Sequence, residues 1–274
     1  MVAAAGAEFV PVAVYNNVPG PDAAVLKRFR EPAWNNPVVR FLDADGADWI
    51  PRKDGEYTVG FLLSRMVAAL EAAKRPVPPY LKLAAAEAAP RKPETAAFAM
   101  YCYWEGEAKL GALDGVTGTR IGELLGAETV EVTFDAAVID YETLVTKALE
   151  LDCAHRVFAR TDAQLKIAKA LAGNRAVRTD DALDARTQQQ YHLAHYPQYH
   201  VLPLTAAQAT RANALIASRK WPDEVLSPKQ IELKVRLEKL KPDEWKALKL
   251  PAPDRTAGGL AKYSRAVDKA FPAR

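Results

Sequence analysis

Between Ala127 and Leu151 the chain switches hydrophobic period once, without a break. AETVEVTFD alternates apolar and polar residues, the mark of a strand with one buried face. DYETLVTKALEL then places apolar residues three and four apart, with Asp140 positioned to accept N–H bonds at a helix start. A chain that makes this switch has to pack helices on a sheet. The neighbouring segments extend the pattern. AAFAMYCYW reads as a strand ending near Cys102, and EGEAKLGAL as the start of a helix. GVTGTRIG is a hairpin partner for AETVEVTFD, HRVFART is another strand, and DAQLKIAKALAG is a helix stopped by Gly173. The order β-α-β-β-α-β is the split βαβ, or ferredoxin-like, pattern.

The residues before this region predict a second, smaller α/β unit over 1–78. VPVAVYN is expected to be a strand, DAAVLKRF a helix, VVRFLDADGADWIP two strands around an Asp-Gly turn, and VGFLLSRMVAALEAA an amphipathic helix. That order resembles the later part of a thioredoxin fold. Asn36-Pro37 then stands either where such folds place a cis-proline or at an ordinary trans turn. No CxxC occurs, so this unit carries no redox motif of its own. The Pro- and Ala-rich stretch 79–94 reads as a linker or clamp. The α+β domain with the split βαβ pattern is expected over 95–218, and a helical C-terminal extension over 219–274. The last ~20 residues are expected to be poorly ordered.

Composition removes several classes of function. The formal charge is +3. Although residues 219–274 hold 14 Lys/Arg against 8 Asp/Glu, such a run reads as a solvated helix face, and no nucleic-acid partner is expected. No apolar run approaches the ~18 residues that span a bilayer, so no membrane partner is expected. The N-terminus is not an intact signal peptide, and the expected location is cytoplasmic unless a signal has been trimmed. The chain's two cysteines are too few for a disulfide scaffold or a structural zinc site. His192, His195 and His200 lack an H-E-x-x-H partner pattern, and no phosphate or dinucleotide loop occurs, so neither metal nor bound cofactor is expected.

Two thiols are nevertheless the minimum for a cycle in which one attacks and the other resolves. Cys102 sits at a strand-to-helix junction, where the helix dipole favours a thiolate. The same position also suits a small buried hydrophobe. Glu128 is either a solvent-facing strand residue or a carboxylic acid raised by an apolar pocket. Cys153 is either a resolving thiol or a structural core residue.

The stretch CYWEGEAKLGALDGVTGTRIG resembles the catalytic segment of the peptide methionine sulfoxide reductase A family, G-C-F-W-G-x-E followed by a leucine-rich helix and P-G-V. AETVEVTFDAAVIDYETLV resembles that family's H-A-E-x-V-x-V-x-Y-D-P-x-V-I-S-Y-E-x-L. VFARTDAQ and Tyr191-His192 resemble I-F-Y-H-D-E-E-Q and the Y-H of A-E-D-Y-H-Q. The resemblance spans residues 97–200. It implies Cys102 as nucleophile, Glu128 as the acid that protonates the sulfoxide oxygen, and Tyr103 and Trp104 as a cradle for the S-methyl group. Glu107 falls on the family's helix glutamate, and Tyr191 and His192 line the pocket. Cys153 falls beside an active-site tyrosine of the family and would resolve the oxidised Cys102. The implied substrate is oxidised methionine in a peptide or protein, the implied reductant a thioredoxin-type dithiol, and the implied role protein repair. Tyr101 and Glu105 stand where the family has glycines, and the G-Y-x-G-G loop has no counterpart. Two other functions stay open: a thiol oxidoreductase acting on another oxidised sulfur or a peroxide, and a non-catalytic binding module that retains the fold.

Overall fold

The computed structural model describes residues 1–15, 18–34, 37–56, 58–256 and 258–272. The chain divides into two compact units, Met1–Ala89 and Pro90–Arg274.

The first unit contains helices α1 (Val2–Glu8) and α2 (Pro21–Phe29), strands β1 (Val38–Val39) and β2 (Lys53–Asp54), and helices α3 (Val59–Ala72) and α4 (Pro79–Ala88). The amphipathic period over 59–72 does form a helix, and Thr58 caps it by accepting the Phe61 N–H at 3.2 Å. Its Leu63, Met66, Ala69 and Leu70 pack with Phe41, Ile50 and Leu81 in one buried cluster. Leu81 belongs to α4, so the Pro/Ala stretch read as a linker contributes to this core. The Asp-Gly turn forms around Asp43, whose carboxylate accepts the Ala47 N–H at 2.8 Å. The flanking residues, however, pair over only two positions, Val38 with Asp54 and Val39 with Lys53. Residues 10–15 join no ladder. Pro11 removes one donor there, and Val10 and Val12 are exposed, so no apolar face is buried that would hold a strand. The thioredoxin-like arrangement needs a sheet that the described residues of this unit do not form. Asn36, half of the Asn36-Pro37 turn, lies outside the described residues, as does Asn16 at the end of VPVAVYN.

The second unit is a mixed α/β body. Its elements are β3 (Pro93–Ala99), α5 (Tyr103–Gly111), β4 (Val116–Leu124), β5 (Ala127–Asp135), α6 (Tyr141–Glu150), β6 (Arg156–Ala159), α7 (Asp162–Ala172), β7 (Ala176–Arg178) and β8 (Asp184–Ala185). The strands form one six-stranded sheet in the order β7-β6-β3-β5-β4-β8, antiparallel except for the β6–β7 pair. Alternation is obeyed closely. Ala96, Phe98, Val130, Val132 and Phe134 face one core with Leu110, Leu144, Val145 and Ala168 of the helices. Ala97, Ala99, Leu124 and Phe158 form a smaller cluster with Leu183. Leu125 and Gly126 both have positive φ, which closes β4 onto β5 in a two-residue turn.

Helices α8 (Tyr191–Ala194), α9 (Pro197–His200), α10 (Ala206–Ala217), α11 (Pro228–Leu237), α12 (Pro242–Ala247) and α13 (Gly259–Ala270) follow. The C-terminal end is more ordered than its composition suggests. In α13, Tyr263 and Val267 are buried, and the Tyr263 hydroxyl donates to the Val201 carbonyl at 2.8 Å.

Candidate functional site

The β3–β5 register decides what stands beside Cys102. Phe98 lies opposite Val130 and Ala99 opposite Thr129, and the Met100 N–H donates to the Glu128 carbonyl at 3.0 Å. Two residues later the chain enters α5 with Cys102 at the N-cap in an extended conformation. Cysteine is a poor cap, and its side chain makes no capping bond. The carboxyl group of Glu128 fills that role from the neighbouring strand, its Oε2 accepting the Tyr103 N–H at 3.1 Å. A partly exposed thiol and a half-buried carboxyl group thus both stand at the N-terminus of one helix.

Aromatic rings flank this junction. Tyr103, 9% exposed, lies 5.6 Å from Trp104, and Trp104 stacks on Tyr191 at 4.2 Å and 16°. His195 meets the Tyr191 ring at 4.5 Å, edge to face, and its Nδ1 lies 2.7 Å from the Tyr191 carbonyl oxygen. His192 is bonded to the Trp104 backbone, and burial pushes its pKa down. Arg186 pairs with Glu123, which lies directly across from Glu128 on β4, and also contacts Tyr103.

What brings Tyr191 to Trp104 is Glu107, a carboxyl group with 0% exposure inside the second unit. It accepts the Gln190 N–H at 3.1 Å, the Tyr191 N–H at 3.3 Å, the Thr119 hydroxyl at 3.3 Å and the Asn213 amide at 3.3 Å. One side chain of α5 therefore ties down the start of α8, strand β4 and helix α10. Burial pushes its pKa up to about 7, against the pull of those four donors.

Cys153 is placed differently. It lies on the α6–β6 loop, 2% exposed within the core cluster, and its Sγ donates to the Leu151 carbonyl at 3.5 Å. Burial pushes its thiol up to about 11, so at neutral pH it is protonated. Both cysteines are free thiols. The loop that carries Cys153 does run beside the Cys102 junction. The His155 N–H donates to the Ala99 carbonyl at 2.8 Å, and its ring meets Tyr101 edge to face at 4.4 Å. Lys109 of α5 donates to the Leu151 carbonyl at 3.3 Å.

The structure thus brings Cys102, Tyr103, Trp104, Glu128, Tyr191 and His192 together and leaves Cys153 buried next to them. Sequence reasoning missed Arg186, His155, Gln190 and Asn213 as parts of this assembly. A charged residue on the apolar side of α5 was a signal for Glu107, but apart from Thr119, 12 positions on, its partners lie 83 to 106 positions away and carry no local mark. Among the described residues no group of three His, Cys, Asp or Glu side chains is placed to hold a metal ion. None of the described helices is long and apolar enough to cross a membrane. A cleft of about 570 Å3 lined by Thr95, Thr133, Tyr141, Arg160 and Gln164 lies at the start of β3, the end of the strand away from Cys102. No family model and no curated protein matches this chain.

Proposed function

We propose that this protein is a thiol-dependent reductase of methionine sulfoxide in peptides or proteins, with Cys102 as the nucleophile. The observation that carries the reading is the Glu128 carboxyl group on the Tyr103 amide, one residue from the thiol. In this reading the split βαβ core is β3-α5-β4-β5-α6-β6, supported by the strand order β6-β3-β5-β4. The Cys102 thiolate attacks the sulfoxide sulfur. As the S–O bond breaks, Glu128 delivers a proton to the oxygen through Oε1 while Oε2 keeps the amide. The products are a thioether and a sulfenic acid on Cys102. A second thiol then attacks that sulfur, expelling water and leaving a disulfide, which an external dithiol of the thioredoxin type reduces. Trp104, Tyr103 and Tyr191 supply apolar faces for the S-methyl group.

Cys153 is the resolving thiol within the chain. Its burial means that the 152–155 loop has to open before it reaches Cys102. The same burial favours a second reading, in which the external thiol resolves the sulfenic acid directly and Cys153 stays a core residue.

Turnover of the two sulfoxide epimers of a methionine peptide with dithiothreitol tests the proposal. One epimer is expected to be reduced. Cys102→Ser is expected to lower the rate at least about 10³-fold and Glu128→Gln about 10²-fold. Absence of turnover by the folded wild type contradicts the reading.

A further inference from the structure

The cleft at the start of β3 has no part in the chemistry assigned to Cys102, which follows the other end of that strand. Its volume, about 570 Å3, is that of a small-molecule site. Tyr141, the first residue of α6, forms part of its wall and is 5% exposed. The Tyr141 hydroxyl is closed to water and has no hydrogen-bond partner among the described residues. Burial alone pushes its pKa up to about 12. Buried hydroxyls are normally bonded, because an unpaired one has given up water and gained nothing for it. An orphan of this kind in the wall of a cleft of ligand size points to a partner that arrives from outside.

The other groups of the wall define that partner. Acceptors here are already taken. The Gln164 amide holds the Thr95 carbonyl at 3.0 Å, the Thr117 hydroxyl holds the Thr133 carbonyl at 3.3 Å, and the Arg160 N–H holds Gln164 Oε1 at 2.9 Å. Donors remain. Besides the Tyr141 hydroxyl there is the Ala163 N–H, which stands in the first turn of α7, where no carbonyl of the helix reaches it. The cap of that turn, the Thr161 hydroxyl, is spent on the Gln164 N–H at 3.1 Å. Charge is balanced. Arg160 is paired with Glu131 at 3.2 Å and donates to the Asp181 carbonyl at 2.6 Å. Asp140 and Glu142 offset the dipole of α6, and Asp162 that of α7. An anion would meet Glu94, exposed on the rim, and a cation would meet Arg160 and a wall of donors. Pro93, Ile167 and the Tyr141 ring supply apolar surface.

We infer that this cleft binds a small, uncharged, mostly apolar molecule whose carbonyl oxygen accepts the Tyr141 hydroxyl. Side-chain shifts of the size that binding commonly brings open the hydroxyl to that oxygen. The inference is independent of the reductase reading.

NMR titrations of the isotope-labelled full chain test it with three probes on one carbon skeleton: phenylbutyramide, phenylbutyrate and phenylbutylammonium. The uncharged probe is expected to shift the backbone signals of Thr95, Thr161, Ala163 and Ile167 saturably, and both ions to bind at least about tenfold more weakly. Tyr141→Phe removes the hydroxyl alone. It is expected to weaken phenylbutyramide at least about fivefold, and to leave the urea midpoint unchanged or higher, since an orphan hydroxyl contributes nothing to the fold. Either ion binding as tightly as the uncharged probe, undiminished binding by Tyr141→Phe, or no saturable shift at these residues overturns the inference. A lower urea midpoint for Tyr141→Phe also overturns it, because the hydroxyl would then have a partner within the free chain.

Discussion

Glu107 shows how much one buried side chain organises. Its four donors come from three separate elements, and together they fix the ring of Tyr191 against Trp104. The same burial makes its ionisation costly. Its pKa lies at about 7 in the folded chain against an ordinary 4.5, so between these values the native state binds more protons than the unfolded state. Stability from this group is therefore present at pH 5 and lost as pH rises toward 7, by at most about 3 kcal/mol. Urea midpoints at pH 5 and pH 8 check this. Wild type is expected to lose stability across that range, and Glu107→Gln, which cannot ionise, is expected to lose less. At the same scale Cys153, buried and protonated, is expected to resist alkylation that labels Cys102 at pH 8.

At the scale of elements, helix α5 approaches the sheet closely because Gly106 has no side chain. A methyl group there would run into the Met100 side chain, with Val130 next in line. Gly106→Ala gains up to about 1 kcal/mol of helix propensity but overpacks the core at a cost of about 1–3 kcal/mol. The variant is therefore expected to unfold at lower urea than wild type, and an unchanged or higher midpoint contradicts this packing. The run from β3 to α7 was legible in the sequence because each segment keeps one period and ends on its own cap: Asp140 on α6, Thr161 on α7, and Gly173 beyond it. The segment 10–15 was not legible. Its valines alternate like a strand, but strand formation depends on a neighbour to pair with, and local pattern does not report one. The order of α13 was hidden for the converse reason. Its buried face is two residues wide, Tyr263 and Val267, and gains meaning only from Val201, 62 positions earlier. Of the candidate site, Cys102 and Glu128 were singled out only by the resemblance to the reductase family, and the register that puts both at the start of α5 has no local mark in the sequence. The roles of Arg186, Gln190 and Asn213 were not legible either, since tertiary packing alone brings them in.

On the scale of the whole molecule, one buried cluster lies within residues 4–81 of the first unit, and two lie within residues 96–183 of the second. Cooperative unfolding follows shared cores, so each unit is expected to melt as its own transition. A fragment of residues 90–274 is expected to show one calorimetric transition within about 3 °C of its counterpart in the full chain. A fragment that gives no transition contradicts independent cores. Because the candidate site uses residues 101–213, that fragment is also expected to keep it.

The central claim is that Cys102 takes the oxygen from a sulfoxide, and one single-turnover measurement addresses it. Cys153→Ser, stripped of reductant, is mixed with a methionine sulfoxide peptide, and both products are weighed by mass spectrometry. The account predicts one methionine peptide formed per chain and one oxygen gained on Cys102, captured by a sulfenic-acid trap. A folded protein that leaves the peptide oxidised and Cys102 unmodified contradicts it.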